Sequence, residues 1–159
     1  MELNLIRQNK IDNLLQKLIE NADGKIIVGD GKSLVRESDT IEVINEFTNG
    51  VYMRRMDVMK GTLIVGAVHK EKHSWFLMRG VVKVADAGSV SYIEAPYYTL
   101  SDPGTQRVIE VVEDAIWVNI HSNPDNGQDI DIIEKRLFSF NMEEYKKHLN
   151  NKKEVIWQE

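Results

Sequence analysis

The sequence predicts a mainly β protein, either a closed barrel or a sandwich of antiparallel strands, with helices at both ends. Between residues 41 and 121, runs of about 5–8 residues rich in apolar and β-branched side chains recur at intervals of about ten, with turn signals between them. No helix-length apolar period interrupts this region, which argues against a parallel α/β sheet. Helical periodicity is confined to the segments before and after it.

The composition excludes several classes of function. The chain has 159 residues, a length typical of one domain, and a formal net charge of -5, which disfavours a general nucleic-acid binder. It contains no cysteine, so disulfides, thiolate metal sites and cysteine nucleophiles are ruled out. The opening MELNLIRQNK lacks the apolar core of a signal peptide, and no apolar run is long enough to span a bilayer. We therefore expect a cytoplasmic protein with no membrane partner.

An amphipathic helix is predicted over residues 1–24. Asp23-Gly24 ends it, since glycine suits the left-handed position after a helix. This helix either packs on the outside of the domain or docks on a second subunit. Its apolar positions follow the helical period: Ile11, Leu14, Leu15, Leu18 and Ile19.

A short strand and a turn follow the first helix. Lys25–Val28 is apolar enough for a strand, and Gly29-Asp30-Gly31 is a turn signal. The triplet Gly31-Lys32-Ser33 matches the end of a phosphate-binding P-loop, but Ile26 stands where that motif requires a glycine. A hairpin turn is the better interpretation.

The central region alternates strands and turns. In VYMRRMDVM, Tyr52, Arg54 and Met56 share one face, so the adjacent Arg54 and Arg55 point to opposite sides. Glu113-Asp114 is predicted to be a tight turn between two strands. The predicted strands are IEVINEF (41–47), VYMRRMDVM (51–59), TLIVGAVH (62–69), VVKVADAG (81–88), VSYIEAPYY (90–98), RVIEVV (107–112) and AIWVNIH (115–121).

Two helices are predicted after the strands. The first begins at Asp129, and the second follows a capping-box pair, Asn141 with Glu144 three residues later. The final residues 151–159 are expected to form a loose tail or a docking strand. The expected organisation is one compact domain with an N-terminal helix (1–24), a β-barrel (25–122) and a helical extension (123–159).

The stretch GTLIVGAVHKEKHSWFLMRG carries two of the four histidines between bracketing glycines. Its spacing resembles the first motif of the cupin superfamily, G-x5-H-x-H-x3-4-E-x6-G. Gly61 and Gly80 take the two glycine positions, and His69 takes the second histidine position. Ala67 stands at the first histidine position and His73 at the glutamate position.

A second stretch resembles the other cupin motif, G-x5-P-x-G-x2-H-x3-N, less closely. Gly104 fits its second glycine, and Arg107 stands at its histidine position. Residues 50–121 also resemble small cupin-like proteins encoded by bacteriophages, for which the host cytoplasm is the expected location. The resemblance implies an RmlC-like jelly-roll barrel, the cupin-type double-stranded β-helix.

The resemblance also implies a metal site with only part of its ligands. Cupins that bind a divalent ion use three histidines and one glutamate, and only His69 and His73 stand at those positions here. Arg107 is a permanent cation and cannot ligate. His121 completes a three-histidine set if its strand, on which Trp117 and Asn119 share its face, presents that face inward. Either face can be the inner one.

The same residues support an alternative site without a metal. His69, His73, His121 and Arg107 converging in a barrel mouth make a cationic pocket in an acidic protein. Trp117 and Tyr98 are candidate stacking walls of that pocket. The ligand is then a small anion of the phosphate, carboxylate or nucleotide type.

Three functions follow from these alternatives. The first, which we favour, is a cupin that binds a small anionic ligand, or an isomerase that needs no metal. The second is a metal-dependent enzyme that uses His69, His73 and His121. The third is a structural or interaction protein that uses the barrel and helices for assembly. We expect a homodimer or a higher homo-oligomer, and each named site residue also has an ordinary structural role as its alternative.

Overall fold

A computed structural model describes residues 27–28, 38–86 and 89–156, with side chains between residues 38 and 152. The predicted N-terminal helix (1–24) and the predicted turn at residues 29–31 lie outside the described residues. The elements are β1 (Ile27–Val28), β2 (Ile41–Thr48), β3 (Gly50–Val58), β4 (Leu63–Val65), β5 (Val68–His69), β6 (His73–Asp86), β7 (Ser89–Glu94), β8 (Tyr97–Ser101), β9 (Val108–Asn123), α1 (Ile130–Leu137), β10 (Phe138–Ser139) and α2 (Met142–Ile156).

Two long antiparallel strands, β6 and β9, organise the barrel because each runs through both of its sheets. One sheet has the order β2–β3–β9–β6–β8 and uses residues 115–123 of β9. The other has the order β1–β4–β9–β6–β7 and uses residues 108–110 of β9 against β4. The predicted mainly β architecture is confirmed, and two sheets that share bent strands enclose one core.

Both long strands bend where β6 passes Gly80. The register of β6 against β9 shifts three times between Leu77 and Val82, as expected for a bulged corner. Gly80 has φ +87°, and a Cβ atom there would lie 2.3 Å from the Asp114 carbonyl oxygen. The tight turn predicted at Glu113-Asp114 is wrong, since β9 continues through it as one bent strand. Polar residues mark this point because the bend is exposed to solvent.

Two other predicted strands are each divided in two. Residues 62–69 form β4 and β5, separated at Gly66-Ala67, where the Gly66 N–H donates to the Arg107 carbonyl oxygen at 2.8 Å. Residues 90–98 are divided between β7 and β8 at Ala95-Pro96, a cis peptide bond. In both places apolar composition predicts the extended backbone. The first break is a change of strand partner, from β9 to β10, whereas β7 and β8 pair with different parts of the same strand, β6.

The interior of the barrel changes from apolar to polar along the first sheet. Inward positions of β9 run from Trp117 through Asn119 to His121, all buried. On β3 the register partners of these residues run from Met56 through Arg54 to Tyr52. The apolar end holds the largest hydrophobic cluster, which includes Ile41, Met56, Val58, Ile64, Trp75, Leu77, Val82, Val84, Ile109, Val111, Ala115 and Trp117.

The C-terminal segment packs on the polar end of the barrel. Asp129 is the N-cap of α1 and accepts hydrogen bonds from the N–H groups of Asp131 and Ile132, as the sequence predicts. After α1, Phe138 pairs with His69 across β10 and β5. Ile133, Leu137 and Phe138 of this segment share a hydrophobic cluster with Tyr52 of β3.

The second predicted helix, α2, begins after Asn141, whose side-chain oxygen accepts the Glu144 N–H at 3.0 Å. It continues through residue 156, so the tail expected from residue 151 is helical at its start. β1 confirms part of the strand predicted at residues 25–28. No helix in the described ranges is long and apolar enough to cross a membrane.

Candidate metal centre

Three histidines converge at the polar end of the barrel. His69 lies on β5, His73 at the first position of β6, and His121 near the end of β9. One ring nitrogen from each lies within 4.8 Å of the others. The ring centroids are 3.8 Å apart for His69 and His73, 4.8 Å for His73 and His121, and 5.6 Å for His69 and His121. The inner face of β9 is therefore the one that carries His121.

His73 and His121 are buried and His69 is half-buried, and the three rings make few hydrogen bonds within the described ranges. Within the described ranges, His69 Nδ1, His73 Nε2 and both ring nitrogens of His121 are buried without a hydrogen-bond partner. His73 Nδ1 lies 3.5 Å from the Glu71 carbonyl oxygen, a contact in which the protonated Nδ1 donates. That contact leaves the lone pair of His73 on Nε2. Buried imidazole nitrogens without partners are costly, so this cluster needs a physical reason to persist.

The same environment keeps the three histidines neutral. Burial lowers the pKa of His73 to about 4, against a small opposing effect of the Glu71 carbonyl, with Arg107 lowering it further. Burial, with His73 and Arg54 nearby, lowers the pKa of His121 to about 3. The pKa of His69 lies well below 6.5 for the same reasons, burial first and His73 next. Neutral imidazole is the form that binds metals, and no proton has to leave at neutral pH.

Aromatic rings and a buried ion pair surround the histidines on the α1 side. Phe138 presents its edge to His69 and His121, with centroids 5.0 and 5.5 Å away. The Arg54 guanidinium donates to Glu134 of α1 at 2.8 Å, and their side chains are only 7% and 6% exposed. Arg54 also donates to the Tyr52 hydroxyl at 3.3 Å. This ion pair fixes α1 against the barrel interior.

A cavity of about 90 Å³ adjoins the histidines towards the apolar end. His69 lies at the junction, since it lines the cavity and belongs to the histidine cluster. The other polar groups of the lining are Arg54, Arg107 and Asn119. Its apolar walls comprise Met56, Ile64, Val65, Ala67, Trp75, Ile109, Trp117 and Phe138.

Arg107 is held on the cavity wall by three neighbours. Its Nη1 donates to the Ser101 hydroxyl at 2.8 Å, and its guanidinium lies 5.9 Å from the centre of the Trp75 ring. Its Nε is 3.9 Å from a carboxylate oxygen of the half-exposed Asp86. Burial lowers the pKa of Arg107, which nevertheless stays cationic at neutral pH.

Five of the six residues predicted for the site come together. His69, His73 and His121 form the cluster, and Arg107 and Trp117 line the adjoining cavity. The assignment of Tyr98 to the site is corrected, because its side chain faces outward, is 70% exposed and stacks on Phe76. Phe76 and Tyr98 are register partners on the outer face of their sheet, which places Tyr98 on the opposite side from the cavity.

Sequence reasoning did not identify Arg54, Asn119 or Glu134 as site residues. Asn119 shares a strand face with Trp117 and His121. Assigning that face to the barrel interior would have identified Asn119 as a site residue. Arg54 shares a face with Tyr52 and Met56 in the same way. No local pattern marks Glu134, because its role depends on how α1 packs against β3.

The histidine cluster fits a divalent transition metal, with one geometric adjustment. Imidazole binds such ions at about 2.0–2.1 Å, which brings ligand nitrogens to within about 3.5 Å of one another. The His69 and His73 rings are nearly parallel, at 15°, so binding of one ion by both turns at least one ring about χ2. Three nitrogen ligands leave coordination positions open. Ala67 and Arg107, at the remaining cupin positions, supply none.

Comparison with known proteins identifies the fold of the chain but not its function. No protein-family model matches the chain, and no curated protein matches it. The formate complex of oxalate decarboxylase from Lactobacillus farciminis aligns at TM-score 0.51 and 15% identity, over 68% of this chain and 34% of that one. A double-stranded β-helix protein from Klebsiella pneumoniae aligns at TM-score 0.47 and 21% identity, over 58% and 86%.

An RmlC-like cupin protein from Methanocaldococcus jannaschii aligns at TM-score 0.47 and 9% identity, over 58% of this chain and 90% of that one. The chain is a mainly β protein in which two sheets share bent strands. Its fold is a cupin-type double-stranded β-helix.

Proposed function

We propose that this chain is a cupin-fold protein that binds one divalent transition metal through His69, His73 and His121. The observation that carries the proposal is the set of buried imidazole nitrogens that have no hydrogen-bond partner in the described part of the chain. A bound ion supplies a partner to one nitrogen of each ring and removes the cost of burying it unpaired. Neutral nitrogen ligands favour Zn²⁺, Fe²⁺, Cu²⁺ or Ni²⁺ over Mg²⁺ or Ca²⁺.

Metal analysis of protein purified without a histidine tag tests this proposal. We expect one ion per chain, and His121→Ala to weaken Co²⁺ or Zn²⁺ binding by about 100-fold or more against a chelator. His148→Ala is the matched control, because His148 lies on α2 outside the cluster. Metal-free protein that binds neither ion, or equal binding by the two variants, contradicts the proposal.

A second candidate function, binding of a small anion in the adjoining cavity, is supported by Arg54 and Arg107 in its lining. Three neutral imidazoles bring no negative charge to a divalent ion. Arg54 is already paired with Glu134, whereas the one ion-pair partner of Arg107 among the described residues is the half-exposed Asp86 at 3.9 Å. An anion bound between the histidines and Arg107 balances the positive charge of Arg107, and that of a metal ion when one is bound.

The size of the cavity narrows the anion class. A volume of about 90 Å³ corresponds to roughly six to nine water-sized probes, so it suits a carboxylate or a phosphate group better than a nucleotide. The walls of Trp75 and Trp117 accommodate a short apolar body attached to that group.

Thermal unfolding with acetate, oxalate or inorganic phosphate tests the second candidate. We expect at least one of these anions to raise the melting temperature of the wild-type protein, and Arg107→Gln to abolish that increase. Arg79→Gln is the matched control, since Arg79 is exposed and outside this cavity. Equal increases in both variants place the anion elsewhere and contradict this candidate, whatever the result for metals.

A further inference from the structure

His73 and His121 lie just beyond the end of the ladder that joins β6 to β9. The last register pair of that ladder is Ser74 with Ile120, one residue short of the two histidines. Each histidine is paired on its other side, His73 with β8 and His121 with β3. Backbone pairing between β6 and β9 therefore stops before it reaches the histidines and does not set their separation.

Arg136 of α1 bridges the two strands at this point. Its Nη1 donates to both carboxylate oxygens of Glu71 at 3.1 Å, and its Nη2 donates to the Ser122 carbonyl oxygen at 2.7 Å. Glu71 precedes His73 by two residues, and Ser122 directly follows His121. One guanidinium thus joins the segment of His73 to that of His121, and the rigid fork of an arginine suits such a double contact.

The loop that carries Glu71 also affects which nitrogen of His73 can bind a metal. The Glu71 carbonyl oxygen lies 3.5 Å from His73 Nδ1, and a proton on Nδ1 leaves the lone pair on Nε2. This distance is at the long end of the hydrogen-bond range, so a small displacement of the loop removes the contact. The last turn of α1 also holds the next residue, because the Lys70 N–H donates to the Leu137 carbonyl oxygen at 2.8 Å. The tautomer of His73 therefore depends on how α1 holds this loop.

We propose that Arg136 is a positioning residue of the histidine cluster, which fixes the separation of His73 and His121 and the tautomer of His73. It acts through Glu71 and Ser122. Groups that orient metal-binding imidazoles change metal affinity by about 10- to 100-fold when they are removed. A partly exposed ion pair contributes little to stability, and the Arg136 and Glu71 side chains are 29% and 39% exposed. The expected effect on affinity rests on the proposed metal site, whereas the effect on the tautomer does not.

A matched pair of variants, Arg136→Gln and Lys135→Gln, tests the proposal in the full chain. Each removes one positive charge from the last turn of α1, and Lys135 is exposed. Long-range ¹H–¹⁵N NMR of metal-free protein reports the tautomer of His73. We expect the Nδ1–H form in the wild type and in Lys135→Gln, and a mixture with the Nε2–H form in Arg136→Gln. The same tautomer in all three proteins, or the Nε2–H form in the wild type, overturns the proposal.

Competition with a chelator measures Co²⁺ binding by the same three proteins. We expect Arg136→Gln to weaken binding about 10-fold and Lys135→Gln to leave it unchanged, with similar urea midpoints for all three. Equal weakening by the two variants assigns the effect to net charge and overturns the proposal. A wild-type protein that binds no Co²⁺ contradicts the metal site instead, and the tautomer of His73 then decides whether Arg136 is a positioning residue.

Glu71→Ala removes the same contact from its other side and replaces Arg136→Gln if that variant does not fold. We expect Glu71→Ala to change the tautomer of His73 and to weaken Co²⁺ binding. The double variant Glu71→Ala/Arg136→Gln is expected to lose no more affinity than Arg136→Gln, because both substitutions act through one contact. Additive losses, or a large fall in the urea midpoint with no change of tautomer, overturn the proposal.

Discussion

The two ends of the barrel interior are built on the same strands, but one is packed with apolar side chains and the other buries polar ones. At the apolar end, Trp117 packs among buried hydrophobic side chains. At the other end, four residues further along β9, His121 is equally buried but has no hydrogen-bond partner for either ring nitrogen among the described residues. The first end is organised for stability. The second accepts a loss of stability, and such losses are characteristic of binding sites.

The largest expected effect lies at the apolar end. Trp117→Ala removes a side chain that is 2% exposed, so we expect the free energy of unfolding to fall by about 4 kcal/mol. Urea denaturation followed by circular dichroism measures the change. A loss below about 1 kcal/mol would show that this end is not the stabilising one.

The next largest effect is expected from breaking the buried ion pair, which lowers the free energy of unfolding by about 3 kcal/mol. Glu134→Leu removes the carboxylate that pairs with the Arg54 guanidinium at 2.8 Å inside the barrel. The double variant Arg54→Met/Glu134→Leu is expected to recover most of the loss, because a pair of apolar side chains leaves no buried charge. A double variant less stable than Glu134→Leu would mean that Arg54 stabilises the fold through its other contacts.

Acid destabilises the histidine end by a smaller amount. The folded pKa values of His73, about 4, and His121, about 3, lie below the unfolded value near 6.5. The unfolded chain therefore binds protons first, and the stabilisation present above pH 6.5 is lost as the pH falls towards the folded values. For metal-free protein we expect a loss of about 0.7 kcal/mol per histidine between pH 7 and 6. Stability that stays constant over this range, or rises, contradicts neutral buried histidines.

The smallest expected effect is that of His121→Leu in metal-free protein. The buried imidazole has no hydrogen-bond partner among the residues that the structure describes, so an apolar side chain of similar size removes a penalty. The free energy of unfolding therefore changes by less than about 1 kcal/mol or increases. The variant is also expected to lose any stabilisation by Zn²⁺, which for the wild type is about 2.7 kcal/mol at 100 times the dissociation constant. Thermal scans with and without Zn²⁺ measure both effects. A variant still stabilised by Zn²⁺ would place the metal elsewhere.

The alternation of side chains between the two faces of each strand made most of the fold predictable. It placed Tyr52, Arg54 and Met56 on one face, and Trp117, Asn119 and His121 on another, as the structure has them. It did not reveal which face is inner, because outward residues such as Val118 and Ile120 are also apolar.

Other features were not predictable because they depend on contacts between distant segments. Glu113-Asp114 has the composition of a turn, but β9 continues there because β6 bends beside it at Gly80. Tyr98 was assigned to the site by residue type, and strand register directs it to the other face. The spacing of Gly61, His69, His73 and Gly80 did predict the framework of the barrel.

The pairing of β10 with β5 also sets the order in which the polar end is assembled during synthesis. His69 receives its strand partner, Phe138, only after the whole barrel has been translated. A nascent chain that ends before α1 therefore carries all three histidines but lacks the segment that closes over them. The histidine end therefore cannot reach its final form before α1 and β10 have been synthesised.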